Sequence, residues 1–108
     1  MFDRKYAEYA WEKTAQLLSI DSPSGFTAAA AKWVCSAFAE LGFPAHITTK
    51  GGVLVDLGGA DTQDGLMLAA HTDTLGAMVS KIKASGRLQV TPLGGMNANN
   101  AEAENVRV

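Results

Sequence analysis

The residues of this chain best suited to chemistry are His71 and Asp73, within the run Leu66-Met67-Leu68-Ala69-Ala70-His71-Thr72-Asp73-Thr74-Leu75-Gly76. Side chains two apart on an extended backbone point to the same side, so the imidazole and the carboxylate can stand together. A carboxylate that accepts from one ring nitrogen fixes the tautomer and leaves the other nitrogen free to bind a divalent ion. The spacing therefore suggests His71 as a metal ligand and Asp73 as the group that orients it. The same spacing also suits a histidine that closes a strand before an aspartate that opens a turn. Three residues alone do not decide between the two.

The other reactive side chains read as structural. His46 has no cysteine or carboxylate at ligand spacing. Cys35 lies in an alanine-rich helical stretch and reads as packing. Ser22, Ser24 and Ser36 lack the surroundings of a nucleophile elbow, and Ser24-Gly25 reads as a turn and cap. The pairs Gly51-Gly52, Gly58-Gly59 and Gly94-Gly95 lack the spacing of a phosphate-binding loop and read as turn residues. Asp56 has no functional case.

Two helices and several strands must position this pair. The segment from Asp3 to about Ile20 reads as an amphipathic helix with Asp3 as N-cap. Asp21-Ser22-Pro23-Ser24-Gly25 breaks it. A second helix runs from about Thr27 to Leu41, stopped by Gly42 and Pro44. The aromatic residues of both helices are expected in the core. Ala45–Thr49 and Val53–Leu57 form a hairpin about Lys50-Gly51-Gly52, and Asp61–Gly65 is a polar loop. Leu66–Ala70, apolar throughout, reads as a buried strand that delivers His71 and Asp73 to a sheet edge. Ala77–Ala84 and Arg87–Leu93 form a second hairpin about Ser85-Gly86. Met96–Asn105 is polar, and Val106-Arg107-Val108 reads as the opening of a further strand, so a fragment of a longer protein is expected.

The totals bound the function classes. The 108 residues suit one small domain. A formal charge of −2, from 9 basic and 11 acidic residues with no basic block, argues against nucleic acid. No apolar run approaches the roughly 20 residues of a membrane span. The charged start, Met1-Phe2-Asp3-Arg4-Lys5, is unlike a secretory signal. A lone cysteine excludes an internal disulfide and favours a cytoplasmic setting.

The order of motifs resembles one family. Ile20-Asp21-Ser22-Pro23-Ser24-Gly25-Phe26-Thr27, Gly51-Gly52-Val53-Leu54-Val55, the block from Leu68 through His71 and Asp73 to Val79, and Gly94-Gly95 look like the N-terminal portion of the glutamyl-aminopeptidase family. These are dinuclear metallo-aminopeptidases of tetrahedral assembly, formerly also described as endoglucanases. The glycine and aliphatic residues after His71-x-Asp73 separate this pattern from related deacylases and carboxypeptidases.

The resemblance implies an α/β fold: two helices and a mixed sheet in residues 1–76 would begin the catalytic domain, and residues 77–108 would start a β-rich inserted domain, here truncated. It implies that His71 binds one of two divalent ions, zinc or cobalt, and that Asp73 orients His71. A peptide trimmed from its free N-terminus would be the substrate, and the full-length protein would be a homo-oligomer. The remaining ligands and the general base would come from later sequence, and Glu102 and Glu104 do not match those motifs. A catalytic zinc site needs about three protein ligands, and the chain supplies one, so no peptidase activity is expected of the chain alone. Two other readings stay open: a truncated, non-catalytic relative that binds a partner through unpaired strand edges, and a fragment of a related metal-dependent amidohydrolase or carboxypeptidase.

Overall fold

A computed structural model describes residues 3–61 and 63–108. Met1 and Phe2, and Thr62 of the polar loop, lie outside the described residues. Helix α1 spans Arg4–Leu18. Asp3 caps it: its carboxylate accepts from the Lys5 amide at 3.2 Å, satisfying one of the unpaired N–H groups of the first turn. Arg4 and Glu8, one turn apart, pair at 2.8 Å on the exposed surface.

Helix α2 spans Ala28–Glu40, and its alanines favour the helix at little entropic cost. Its end is a Schellman motif: the Phe43 amide donates to the Phe38 carbonyl at 3.0 Å and the Gly42 amide to the Ala39 carbonyl at 2.9 Å. Gly42 takes a φ of +86°, which a side chain would strain.

The helices meet through Lys13 of α1. Its ammonium pairs with Glu40 at 3.6 Å and sits 5.8 Å from the Trp33 ring centroid. The aromatic core expected for both helices is not formed. No residue of α1 is buried, and Trp11 is 78% exposed. Among the described residues the buried apolar side chains are Ala30 and Ala31 of α2. The apolar periodicity of α1 specifies a face to be covered, and its contact with α2 leaves Trp11 and Leu18 exposed.

Strands β1, Ala45–Ile47, and β2, Val53–Val55, pair antiparallel, with His46 opposite Leu54. The turn between them is held by Thr48, whose amide donates to the Gly52 carbonyl at 2.7 Å and whose hydroxyl accepts from the Gly52 amide at 3.1 Å. Strands β3, Gly76–Ile82, and β4, Leu88–Leu93, form the second hairpin. A bulge between Val79 and Lys81 frees Ser80, whose hydroxyl donates to the Gln89 carbonyl at 3.0 Å.

Three further expectations are corrected. The sheets are two separate antiparallel pairs rather than one mixed sheet. Leu66–Ala70 forms no strand and is not buried, with Leu66 at 88% and Leu68 at 78% exposure. The four strands pair with each other, so the ladder that would make this run a strand has no partner among the described residues. Val106–Val108 is irregular, and Arg107 instead reaches Asp21, donating to its carboxylate oxygens at 2.8 and 2.9 Å. No helix among the described residues is long and apolar enough to cross a membrane.

Candidate functional site

The site is built where the segment after α1 meets the segment before β3. Pro23 and Thr74 form a parallel bridge. The Thr74 amide donates to the Ser22 carbonyl at 2.9 Å, and the Ser22 hydroxyl donates to the Thr72 carbonyl at 3.1 Å. Ser22 is 1% exposed, so its hydroxyl is buried and satisfied, as the cost of an unpaired buried polar group requires. Pro23 lies against Gly76, where a side chain would have no room: a Cβ there would stand 2.5 Å from the Pro23 Cβ. Ser22–Ser24 thus braces residues 72–76 on one side.

The brace fixes the turn that carries His71 and Asp73. His71 Nδ1 lies 3.1 Å from Asp73 Oδ1 and 3.1 Å from the Asp73 carbonyl oxygen. Both are acceptors, so Nδ1 is the ring nitrogen that donates here, and in the neutral ring Nε2 is the nitrogen with the lone pair. The sequence expectation that these two side chains stand together is met. His71 is exposed and Asp73 half-buried.

Ser24 completes the arrangement, its hydroxyl donating to Asp73 Oδ2 at 2.7 Å. Each carboxylate oxygen thus has its own donor. The Asp73 carboxyl is held below the ordinary carboxylate range, first by the Ser24 hydroxyl and then by His71, because both bonds favour the ionised form. The pair opens on a cleft of about 400 Å³ shared with Ser24, Thr74, Leu93 and the glycines 94 and 95. By local pattern Ser24 and the Gly94-Gly95 pair read only as turns. Their place at the site depends on contacts across the chain, which local spacing does not announce.

The remaining candidates lie elsewhere. His46 is exposed on β1, on a separate groove of about 540 Å³ with Pro44, Leu54 and Asp56. Asp56 accepts from the Gly58 amide at 2.8 Å and serves a turn. Cys35 is half-buried on α2. Glu102 and Glu104 are exposed beside the 3₁₀ turn Ala98–Ala101.

The donor chemistry of His71 suits one position of a divalent ion: an imidazole whose Nδ1 is engaged from behind by Asp73. It does not amount to a whole site. Among the described residues no group of three or more His, Cys, Asp or Glu could hold a metal ion.

The profile of the M42 glutamyl aminopeptidases matches residues 51–108, which include both site residues. A Bacillus subtilis (strain 168) protein named "Putative aminopeptidase YhfE" is 42% identical over 93 residues, 86% of this chain and 27% of that protein. A "Glutamyl aminopeptidase" of Lactococcus lactis subsp. cremoris (strain MG1363) is 35% identical over 88 residues, 81% of this chain and 25% of that protein. The chain spans about a quarter of the length of the curated relatives it matches.

Proposed function

Because this chain belongs to the M42 glutamyl aminopeptidase family, we propose that it carries the first metal ligand of an aminopeptidase that releases N-terminal residues from peptides. Residues 1–76 begin the catalytic domain and 77–108 open the inserted β-rich domain. His71 is the ligand, through Nε2, to one of two divalent ions, zinc or cobalt. Asp73 orients His71 and does not itself bind metal. The full-length protein acts in the cytoplasm as a homo-oligomer.

The observation that supports this reading most is the bond between His71 Nδ1 and Asp73, which keeps Nε2 out of that contact on a residue that lines the cleft. A ring held this way has its ligand nitrogen already in the correct protonation state, so binding an ion costs no tautomer exchange. The ions, when bound, supply Lewis acidity and a hydroxide nucleophile near neutral pH. The contribution of this chain is to hold one ligand, fix its tautomer and place it on the cleft.

One ligand does not make a catalytic site, so the 108-residue chain alone is inactive in this reading. Aminoacyl-nitroanilide hydrolysis tests it. The purified chain with added zinc or cobalt should give no turnover. The chain joined to the remainder of the Bacillus subtilis relative should cleave peptides with free N-termini and leave acetylated ones intact. In that chimera His71→Ala should cost more than the roughly 10–100-fold typical of losing an outer partner such as Asp73. Turnover by the isolated chain that disappears in His71→Ala would overturn the reading, as would a chimera indifferent to His71→Ala.

A further inference from the structure

We infer that Ser24 is a positioning residue for this site, acting on His71 through Asp73. The inference deepens the reading of His71 as a metal ligand and rests on it for its purpose.

The carboxylate of Asp73 links Ser24 to His71 by dividing its oxygens: Oδ2 takes the Ser24 hydroxyl at 2.7 Å and Oδ1 faces His71 Nδ1 at 3.1 Å. A half-buried carboxylate with one oxygen unbound can rotate and offer His71 either oxygen, or neither. With Oδ2 tied, Oδ1 stays on the imidazole. Ser24 is itself held. Its neighbour Pro23 is bridged to Thr74 and stacked on Gly76, and Ser22 is buried with both its hydroxyl and its carbonyl bonded to the 72–74 backbone. The hydroxyl therefore reaches Asp73 from a fixed frame rather than from a free turn. The chain of contacts runs from that frame to Ser24, to Asp73, to the Nδ1–H tautomer of His71, a residue that lines the cleft.

A second acceptor competes for the same proton, since the Asp73 carbonyl oxygen also lies 3.1 Å from Nδ1. If that carbonyl sufficed, Ser24 would be dispensable, and this is what the experiment decides.

The ring nitrogens of His71 in the 108-residue chain are read by ¹⁵N NMR without metal, at about pH 8, above the ordinary histidine range. The unsubstituted chain should show a single Nδ1–H tautomer. Ser24→Ala should move both ring nitrogens toward the mixed tautomers of a free imidazole, and Ser24→Thr, which keeps the hydroxyl, should restore the single form. A Ser24→Ala spectrum identical to the unsubstituted one would overturn the inference. If Ser24→Ala loses the amide dispersion of the β3–β4 hairpin, Ser24→Cys is read in its place with the same two outcomes, being nearly isosteric and a weak donor.

In the chimera with the Bacillus subtilis relative, Ser24→Ala should weaken metal retention about 10-fold, the lower end of the range for outer partners, with Ser24→Thr restoring it. The two readings fail separately. A chimera indifferent to His71→Ala sinks the metal-ligand role while leaving the tautomer result standing. An unchanged tautomer in Ser24→Ala sinks the Ser24 role alone.

Discussion

At the scale of single residues, the site is decided by where one carboxylate sends its two oxygens. The pairing of His71 with Asp73 was legible in the sequence because it needs only two-residue spacing on extended backbone. The contact of Asp73 with Ser24 was not legible, because it spans 49 residues and depends on how a loop docks. A pH dependence follows from the same contact. The Asp73 carboxyl is lowered below its ordinary range, by Ser24 first and His71 second. A folded-state value below the unfolded one stabilises fully above the unfolded value, and that stability is lost as pH falls through the folded one. The Ser24–Asp73 contact, one tie of the brace between residues 22–24 and 72–76, should therefore hold above about pH 4 and loosen on further acidification. The ¹³C shift of the Asp73 carboxyl should titrate with a midpoint below that of a free aspartate, and Ser24→Ala should raise that midpoint. Equal midpoints in the two chains would show that the 2.7 Å contact does not persist in solution.

At the scale of elements, legibility follows the range of the interactions that make each one. The end of α2 could be read from Gly42 and Pro44 because a Schellman cap is closed within a few residues. Both hairpins could be read because their turns are local. The run Leu66–Ala70 reads as a strand by composition but takes no strand partner, since pairing is a property of the neighbour as much as of the run. The start of β3 depends on a contact of the non-local kind, the approach of Pro23 to Gly76. Gly76→Ala places a methyl 2.5 Å from the Pro23 Cβ, so either the proline or the strand must move. It should cost about 1–3 kcal/mol, the range for inserting a methyl where there is no space. Urea unfolding measures the loss, and amide exchange at Thr74 should accelerate because its bond to the Ser22 carbonyl loosens. Gly65→Ala is the control. It has open space and no left-handed backbone, so stability should stay level or rise by up to about 1 kcal/mol. Equal effects at the two positions would remove the Pro23 contact from the account of β3.

At the scale of the whole molecule, the chain is extended for its size. Its radius of gyration is 18.1 Å and its extents are 62 × 34 × 22 Å, whereas a compact chain of this length would have a radius near about 13 Å. Its accessible surface of 9329 Å² exceeds the roughly 5,700 Å² expected of a compact monomer of this mass. The excess includes the apolar face of α1 at Trp11 and Leu18, and the run Leu66, Met67 and Leu68. Apolar surface in extended, unpaired backbone invites pairing with another chain. The isolated chain should therefore self-associate, and light scattering should show species larger than a monomer that grow with concentration. Leu68→Lys separates this explanation from general instability. Leu68 is 78% exposed, so the substitution removes almost no packing and should change unfolding stability by less than about 0.5 kcal/mol. It also places a charge on an unpaired extended run, the device by which natural edge strands avoid one another, and should shift the scattering toward monomer. A Leu68 buried in a sheet would respond in the opposite way: loss of a core leucine would cost about 2–5 kcal/mol. A large loss of stability in Leu68→Lys would therefore place residues 66–70 inside a sheet formed by associating chains, and a monomer indifferent to the substitution would remove this run from the interface.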